Sequence, residues 1–159
     1  MPVENSRFGQ SFPCPSCKPP TGPTFESFQV RPGTEGGYAA AWEFAKDAAK
    51  WVTLVGEVGT GKTHLARAAF NHIYRQRLQP VTMWTAFELL ESLRKGYEQP
   101  ELLESVSAEC QQACPLILDD LGAHRVSAWV EEMMTGIIDY RYRRELPTMF
   151  TTNLDPKGL

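Results

Sequence analysis

The octapeptide Gly56-Glu57-Val58-Gly59-Thr60-Gly61-Lys62-Thr63 constrains this chain more than any other segment, because it fits G-x-x-x-x-G-K-[ST] between two dissimilar runs. Before it, residues 51 to 55 (WVTLV) are apolar or β-branched and predict a short buried strand. After it, Leu65, Ala69 and Ile73 recur four apart and predict a helix over 62 to 77. A strand that runs into glycines and leaves through a helix offers backbone N–H groups and a helix N-terminus to an anion. Lys62 then reaches the β and γ phosphates of a nucleotide, a catalytic as well as a binding role, and the Thr63 hydroxyl ligates Mg²⁺. The alternative is a plain glycine turn, which the flanking strand and helix disfavour. Gly56, Glu57, Val58, Gly59, Thr60, Gly61, Lys62, Thr63 and the following His64 form the candidate nucleotide-contacting set. His64, His72 and His124 show no metal-ligand or triad arrangement and also read as ordinary surface or core histidines.

The remaining elements follow the same alternation. The run YAAAWEFAKDAAK predicts a helix from Tyr38 to Lys50, with Gly36-Gly37 as the break before it. Pro80 ends the helix over 62 to 77, and Val81 to Trp84 predicts a second strand. Helices are expected from Ala86 to Lys95 on Leu89, Leu90 and Leu93, and over 101 to 112. Leu116 to Leu118 predicts a third strand. A long amphipathic helix from Val126 to Arg144 carries Val130, Met133 or Met134, Ile137 and Arg141 at helical spacing, and Thr148 to Thr152 predicts a fourth strand. Strands alternating with helices imply an α/β fold, a mostly parallel sheet with helices on both faces.

Leu116-Ile117-Leu118-Asp119-Asp120 is an apolar strand that delivers two carboxylates to the ligand edge of such a sheet. Asp119 is expected to hold Mg²⁺, directly or through water. Asp120 is expected to take a proton from, or orient, the water that attacks a γ-phosphate. Thr151-Thr152-Asn153 ends the fourth strand at the same edge, where Asn153 would contact the γ-phosphate or that water. Taken singly, each of these is also what a turn looks like: the acids lead into Leu121-Gly122 and the asparagine into Asp155-Pro156. Beside the glycine loop they read as one site.

Other reactive residues say less. Cys14 and Cys17 have the spacing of half a zinc site, but a second C-x-x-C is missing. Cys110 and Cys114, four apart on an expected helix, read as packed thiols, so zinc is not expected. Tyr140-Arg141-Tyr142-Arg143-Arg144 mixes aromatics with base as nucleic-acid surfaces do. It also lies at a helix C-terminus where cations offset the dipole, and that reading is preferred over subunit or DNA contact.

The chain has 159 residues, enough for one ordinary core. A formal charge of -3 gives no bulk attraction to nucleic acid, so any DNA contact must be local or shared with partners. Residues 1 to 24, with Pro2, Pro13, Pro15, Pro19, Pro20 and Pro23, cannot build a core and read as an extended arm ahead of a core over 25 to 159. No apolar stretch approaches the ~18 residues of a membrane span, and no leader pattern opens the chain, so a cytoplasmic protein without membrane contact is expected.

In order, GEVGTGKTHLA, LILDDLG, IIDYRYRRELPT and FTTNL resemble the bacterial helicase-loader group of AAA+ ATPases, the DnaC-like and DnaI-like proteins, over roughly residues 24 to 159. Similar sequences occur in the IstB-like ATPases that assist transposition. The resemblance implies a P-loop three-layer sandwich with ATP and Mg²⁺ as cofactors. It also implies a replicative helicase and single-stranded DNA as partners, with nucleotide state controlling release, and assembly with further copies of the chain. Lys62 and Thr63 resemble the Walker A pair, Asp119 and Asp120 the Walker B pair, and Asn153 the sensor 1 residue. Phe25, Phe28 and Val30 are similarly placed near the adenine. The group continues past sensor 1 into an arginine finger, a fifth strand and a helical lid. A core cut short there is therefore expected to leave residues 51 to 55 as a sheet edge. Two other functions share the glycine loop: a small-molecule kinase, which would not need Asp120 and Asn153, and a nucleotide-binding module without turnover. Loss of a trans-acting arginine can cost about 10³ to 10⁵ in rate while sparing binding.

Overall fold

Apolar and β-branched runs become parallel strands because helices pack on both faces of the sheet and bury most of them. The computed structural model describes residues 22–47, 51–77, 81–122 and 127–154. Most of the proline-rich arm, with Cys14 and Cys17, lies outside the described residues, as do Lys50, Pro80, His124 and the Asp155-Pro156 turn. In chain order the elements are α1 (Glu35–Asp47), β1 (Trp51–Val55), α2 (Lys62–Arg77), β2 (Thr82–Thr85), α3 (Ala86–Gly96), α4 (Pro100–Gln112), β3 (Leu116–Leu121), α5 (Ala128–Arg143) and β4 (Thr148–Thr152). The strands pair in the order β1-β4-β3-β2, every pair parallel, with Trp51 opposite Thr148 and Leu116 opposite both Thr148 and Thr82. All strand C-termini therefore share one edge of the sheet. Among the described residues β1 pairs with β4 alone, and Val55 is 41% exposed, so residues 51 to 55 are the sheet edge that was expected.

Period-two alternation along the strands feeds two separate cores. Leu54, Ile117 and Met149 face α1 and α2, where Ala41, Phe44, Leu65, Ala69 and Ile73 are buried. Trp84, Leu116, Leu118 and Phe150 face the other way, onto Leu89 and Leu93 of α3, Val106 of α4 and Val130 and Ile137 of α5. This three-layer α/β/α arrangement is the fold class that the sequence predicts. A capping box opens α3: Thr85 Oγ1 accepts from the Glu88 amide at 3.2 Å while Glu88 Oε2 accepts from the Thr85 amide at 3.1 Å.

Several expectations differ from the structure, and the larger departures have identifiable reasons. Gly36-Gly37 lie inside the first turn of α1 rather than ahead of it. A turn in which Arg31 and Thr34 bond each other, with Tyr38 N–H donating to Thr34 O at 3.0 Å, starts the helix early. β3 runs on through both acids to Leu121, because side chains of β4 replace the ladder bonds there. The last long helix starts at Ala128, after Ser127, whose Oγ accepts from the Val130 amide. Cys114 lies beyond the end of α4 and is exposed, so only Cys110 packs as a helical thiol, its proton held up to about 12 chiefly by burial.

The basic tract also departs from the expectation that its cations serve their own helix. Arg141 is fully buried. Its guanidinium donates to the carbonyls of Cys110 (2.8 Å), Gln111 (3.4 Å), Ala113 (2.7 Å) and Pro147 (2.7 Å) and to Thr148 Oγ1 (2.9 Å). It thus caps the C-terminus of α4, a different helix, and ties it to the start of β4.

Beside this cap, burial pushes the Glu109 carboxyl up to about 7, and its Oε1 has no hydrogen-bond partner among the described residues. A folded pKa above the ordinary 4.5 means that the folded chain holds the proton more tightly than the unfolded chain. The stabilisation is fully present below 4.5 and is lost as pH rises through about 7. Glu109→Gln should therefore raise the melting temperature at pH 8 and leave it nearly unchanged at pH 4.5. After allowance for the partial exposure of this side chain, the difference is on the order of 1 kcal/mol. Equal melting shifts at the two pH values would contradict this account of Glu109.

Candidate nucleotide-binding site

The glycine loop leaves β1 where Gly56 N–H donates to Thr152 O of β4 at 3.3 Å. Thr60 closes the loop on itself, its Oγ1 donating to Glu57 O at 2.9 Å. Gly59 (φ 85°) and Gly61 (φ 89°) take left-handed backbone conformations that other residues adopt only with strain. The turn therefore needs glycine at these two positions. Lys62 Nζ lies over the loop and donates to Gly56 O (2.7 Å), Glu57 O (2.8 Å) and Thr60 Oγ1 (3.3 Å). No acidic residue occupies the first turn of α2, so its positive dipole end is left to an external anion. Val58 at the loop tip is 84% exposed.

Behind the loop the two acids and the asparagine meet. Asp119 is buried, and its Oδ1 accepts from Thr63 Oγ1 at 3.1 Å and from Thr151 Oγ1 at 2.6 Å. Asp120 has φ 62°, and its Oδ1 accepts from Asn153 Nδ2 at 3.3 Å. Residues from the start of α2 and the ends of β3 and β4 thus form one connected set. Every sequence-predicted member of the Thr63, Asp119, Asp120 and Asn153 group is in it. Thr63 Oγ1 and Asp119 Oδ1 are hard oxygen donors of the type Mg²⁺ takes. Among the described residues no group of three or more His, Cys, Asp or Glu gathers elsewhere as a metal site.

His64 does not turn toward the loop. Its Nε2 is 3.1 Å from Ser27 Oγ and 2.9 Å from Thr24 O, which fastens the segment ahead of α1 onto α2. Asn71 Nδ2 repeats this two turns further on by donating to Pro23 O at 2.7 Å. The three residues expected near the adenine separate. Phe25 is buried edge-on against Tyr38 and Trp42 in the core between α1 and α2. Phe28 packs on His64 and on the loop itself, where a Cβ on Gly61 would lie 2.5 Å from its ring. Val30 is 49% exposed. Two residues carry more of the architecture than their sequence signal indicated. In the sequence Thr151 reads as part of a polar strand end, and Arg141 as one position on a helical face and one cation of the basic tract.

Residues 38–156 match the family model described as IstB-like ATP binding protein. The chain is 34% identical over 128 residues to the phage-like element PBSX protein XkdC of Bacillus subtilis (strain 168), covering 77% of this chain and 47% of that protein. It is 27% identical over 111 residues to the replicative helicase loader DnaI of the same strain, covering 69% of this chain and 35% of that protein. The chain thus spans less than half the length of these curated relatives. Among solved structures, that of the DnaC helicase loader superimposes with a TM-score of 0.69 at 26% identity, over 83% of this chain and 77% of that one. The architecture is that of the AAA+ P-loop proteins, in agreement with the motifs. With the glycine loop, the acid pair and the strand-end asparagine all inside the matched span, the chain belongs to the IstB-like ATP binding protein family.

Proposed function

We propose that this chain binds ATP with Mg²⁺ and hydrolyses it to control the loading of a replicative helicase onto single-stranded DNA. The observation that carries the nucleotide chemistry is the junction of Thr63 and Asp119 with Asp120 and Asn153 at one sheet edge. Bound there, Mg²⁺ would spread the charge of the β and γ phosphate oxygens. The N–H groups of residues 56 to 63 cradle the phosphates, and Lys62 exchanges its loop carbonyls for phosphate oxygens. Thr63 and Asp119 would hold the ion. Asp120 accepts a proton from the attacking water or orients it, and Asn153, bonded to Asp120, aligns that water on the γ-phosphate. We treat residues 1 to 24 as an arm and 25 to 159 as the ATP-binding core. The contacts of Pro23 and Thr24 with α2 support a junction there.

Similarity to DnaI and to the DnaC structure supports the helicase assignment. The family match supports a second reading, an ATPase that assists transposition. The two share phosphate chemistry and differ in partner, so ATP-dependent co-purification with a hexameric replicative helicase decides between them. Retention of the helicase supports loading; retention of a transposase instead overturns it. For the chemistry, Asp120→Asn should bind Mg-ATP within about threefold of wild type while turnover falls by about a hundredfold or more, the usual scale for a general base. Undiminished turnover in that variant would remove Asp120 from the mechanism.

A further inference from the structure

In a regular strand Asp119 and Asp120 would project to opposite faces, and only one could reach the phosphate edge. The structure avoids this with a bulge. Leu118 stands opposite Phe150, but the next paired residue on β3 is Leu121, opposite Thr152, so Asp119 and Asp120 together face Thr151. Asp120 takes the extra residue's place in a left-handed conformation, φ 62°, that is costly for a residue with a Cβ. Both members of the bulge are tied to one side chain. Thr151 Oγ1 donates its single proton to Asp119 Oδ1 at 2.6 Å and accepts the Asp120 amide at 2.8 Å. The hydroxyl is 1% exposed as part of its residue and spends both its donor and an acceptor position on the acid pair. Its neighbour Thr152 closes the bulge from beyond, donating to Leu121 O at 2.7 Å.

We infer that Thr151 is a positioning residue for the metal and the attacking water: its hydroxyl holds the β3 bulge that turns Asp119 toward Thr63 and Asp120 toward Asn153. The inference rests on the nucleotide-binding reading above and deepens it. Methyl in place of hydroxyl would leave the Asp120 amide without an acceptor and remove a charge-assisted bond from Asp119. The bulge would then relax toward regular pairing. The phosphate cradle of residues 56 to 63 has no bond to Thr151 and should be spared.

The test is calorimetric titration of ADP into the chain with Mg²⁺ and, separately, with EDTA, on wild type, Thr151→Val, Thr151→Ser and Asp119→Asn. Wild type and Thr151→Ser should bind more tightly with Mg²⁺. Thr151→Val should lose about tenfold of that advantage, as Asp119→Asn does, while affinity in EDTA stays within about twofold. If Thr151→Val keeps the full Mg²⁺ advantage while Asp119→Asn loses it, the positioning role is overturned and the nucleotide reading stands. A folded wild-type chain that binds no ADP in either condition overturns both. Should Thr151→Val not fold, amide hydrogen exchange on the wild type decides the point. Protection of the Asp120 amide comparable to the β3 core supports the bond to Thr151, and unprotected exchange overturns it.

Discussion

Lys62→Ala is expected to weaken Mg-ATP binding by about a hundredfold or more while leaving the fold intact, the largest effect on nucleotide affinity of any substitution considered. The ammonium group bonds the loop carbonyls at 2.7 and 2.8 Å, and it lies where β and γ phosphate oxygens would replace them. Removing one partner of a charge-assisted pair in a partly dehydrated site costs about 2–5 kcal/mol. Its contribution to folding is small by comparison, because the carbonyls it bonds can turn to water. Titration calorimetry on both chains, with circular dichroism to compare their melting, measures the two effects separately. Wild-type affinity in the variant would mean that the loop does not grip phosphates. A melting temperature lowered as much as the affinity would instead make Lys62 a structural residue.

Arg141→Met should be the most destabilising single change, by about 3–5 kcal/mol of unfolding free energy. That is a large share of the roughly 5–15 kcal/mol available to a domain of this kind. The cost arises from what is left behind: the carbonyls of Cys110, Gln111, Ala113 and Pro147 and the Thr148 hydroxyl would stand around an apolar side chain. Arg141→Lys should recover only part of the loss, since an ammonium has three donors and no planar fork. Burial already pushes the guanidinium down to about 10, so the site holds a charge at some desolvation cost and depends on its bonds to do so. Urea unfolding followed by fluorescence gives the number. A loss below about 1 kcal/mol for Arg141→Met would show that the α4 carbonyls find water instead.

These two residues also mark what could be read from the sequence. Lys62 belongs to a local pattern: the strand before it, the glycines and the Leu65, Ala69 and Ile73 spacing lie within one supersecondary unit, and α2 and β4 fall on their expected bounds. Asp119, Asp120 and Asn153 were legible because parallel strands must end at a common edge. Arg141 was legible as a position on the buried face of α5. Its purpose was not, since its partners Cys110 and Ala113 come from another helix, and no periodicity reports a long-range pairing. The bulge was hidden for a related reason. It exists because Thr151 of β4 competes for the ladder of β3, and a strand pattern read alone sees only a run of apolar residues followed by acids. His64 adjoins the loop in sequence, yet a helix turns each successive residue by a fixed angle, and that rotation carries its ring toward Thr24 and Ser27.

The strand order has a consequence for how the chain is made. β1 is the second of the described elements, and its described strand neighbour, β4, is the last of them. During synthesis the ribosome therefore releases Trp51 to Val55 and the glycine loop long before residues 148 to 152 exist to pair with them. Until then one of the most apolar stretches of the nascent chain has no sheet to join, and the bond from Gly56 to Thr152 cannot form. The glycine loop is therefore anchored to the sheet only after every described element between β1 and β4 has been made.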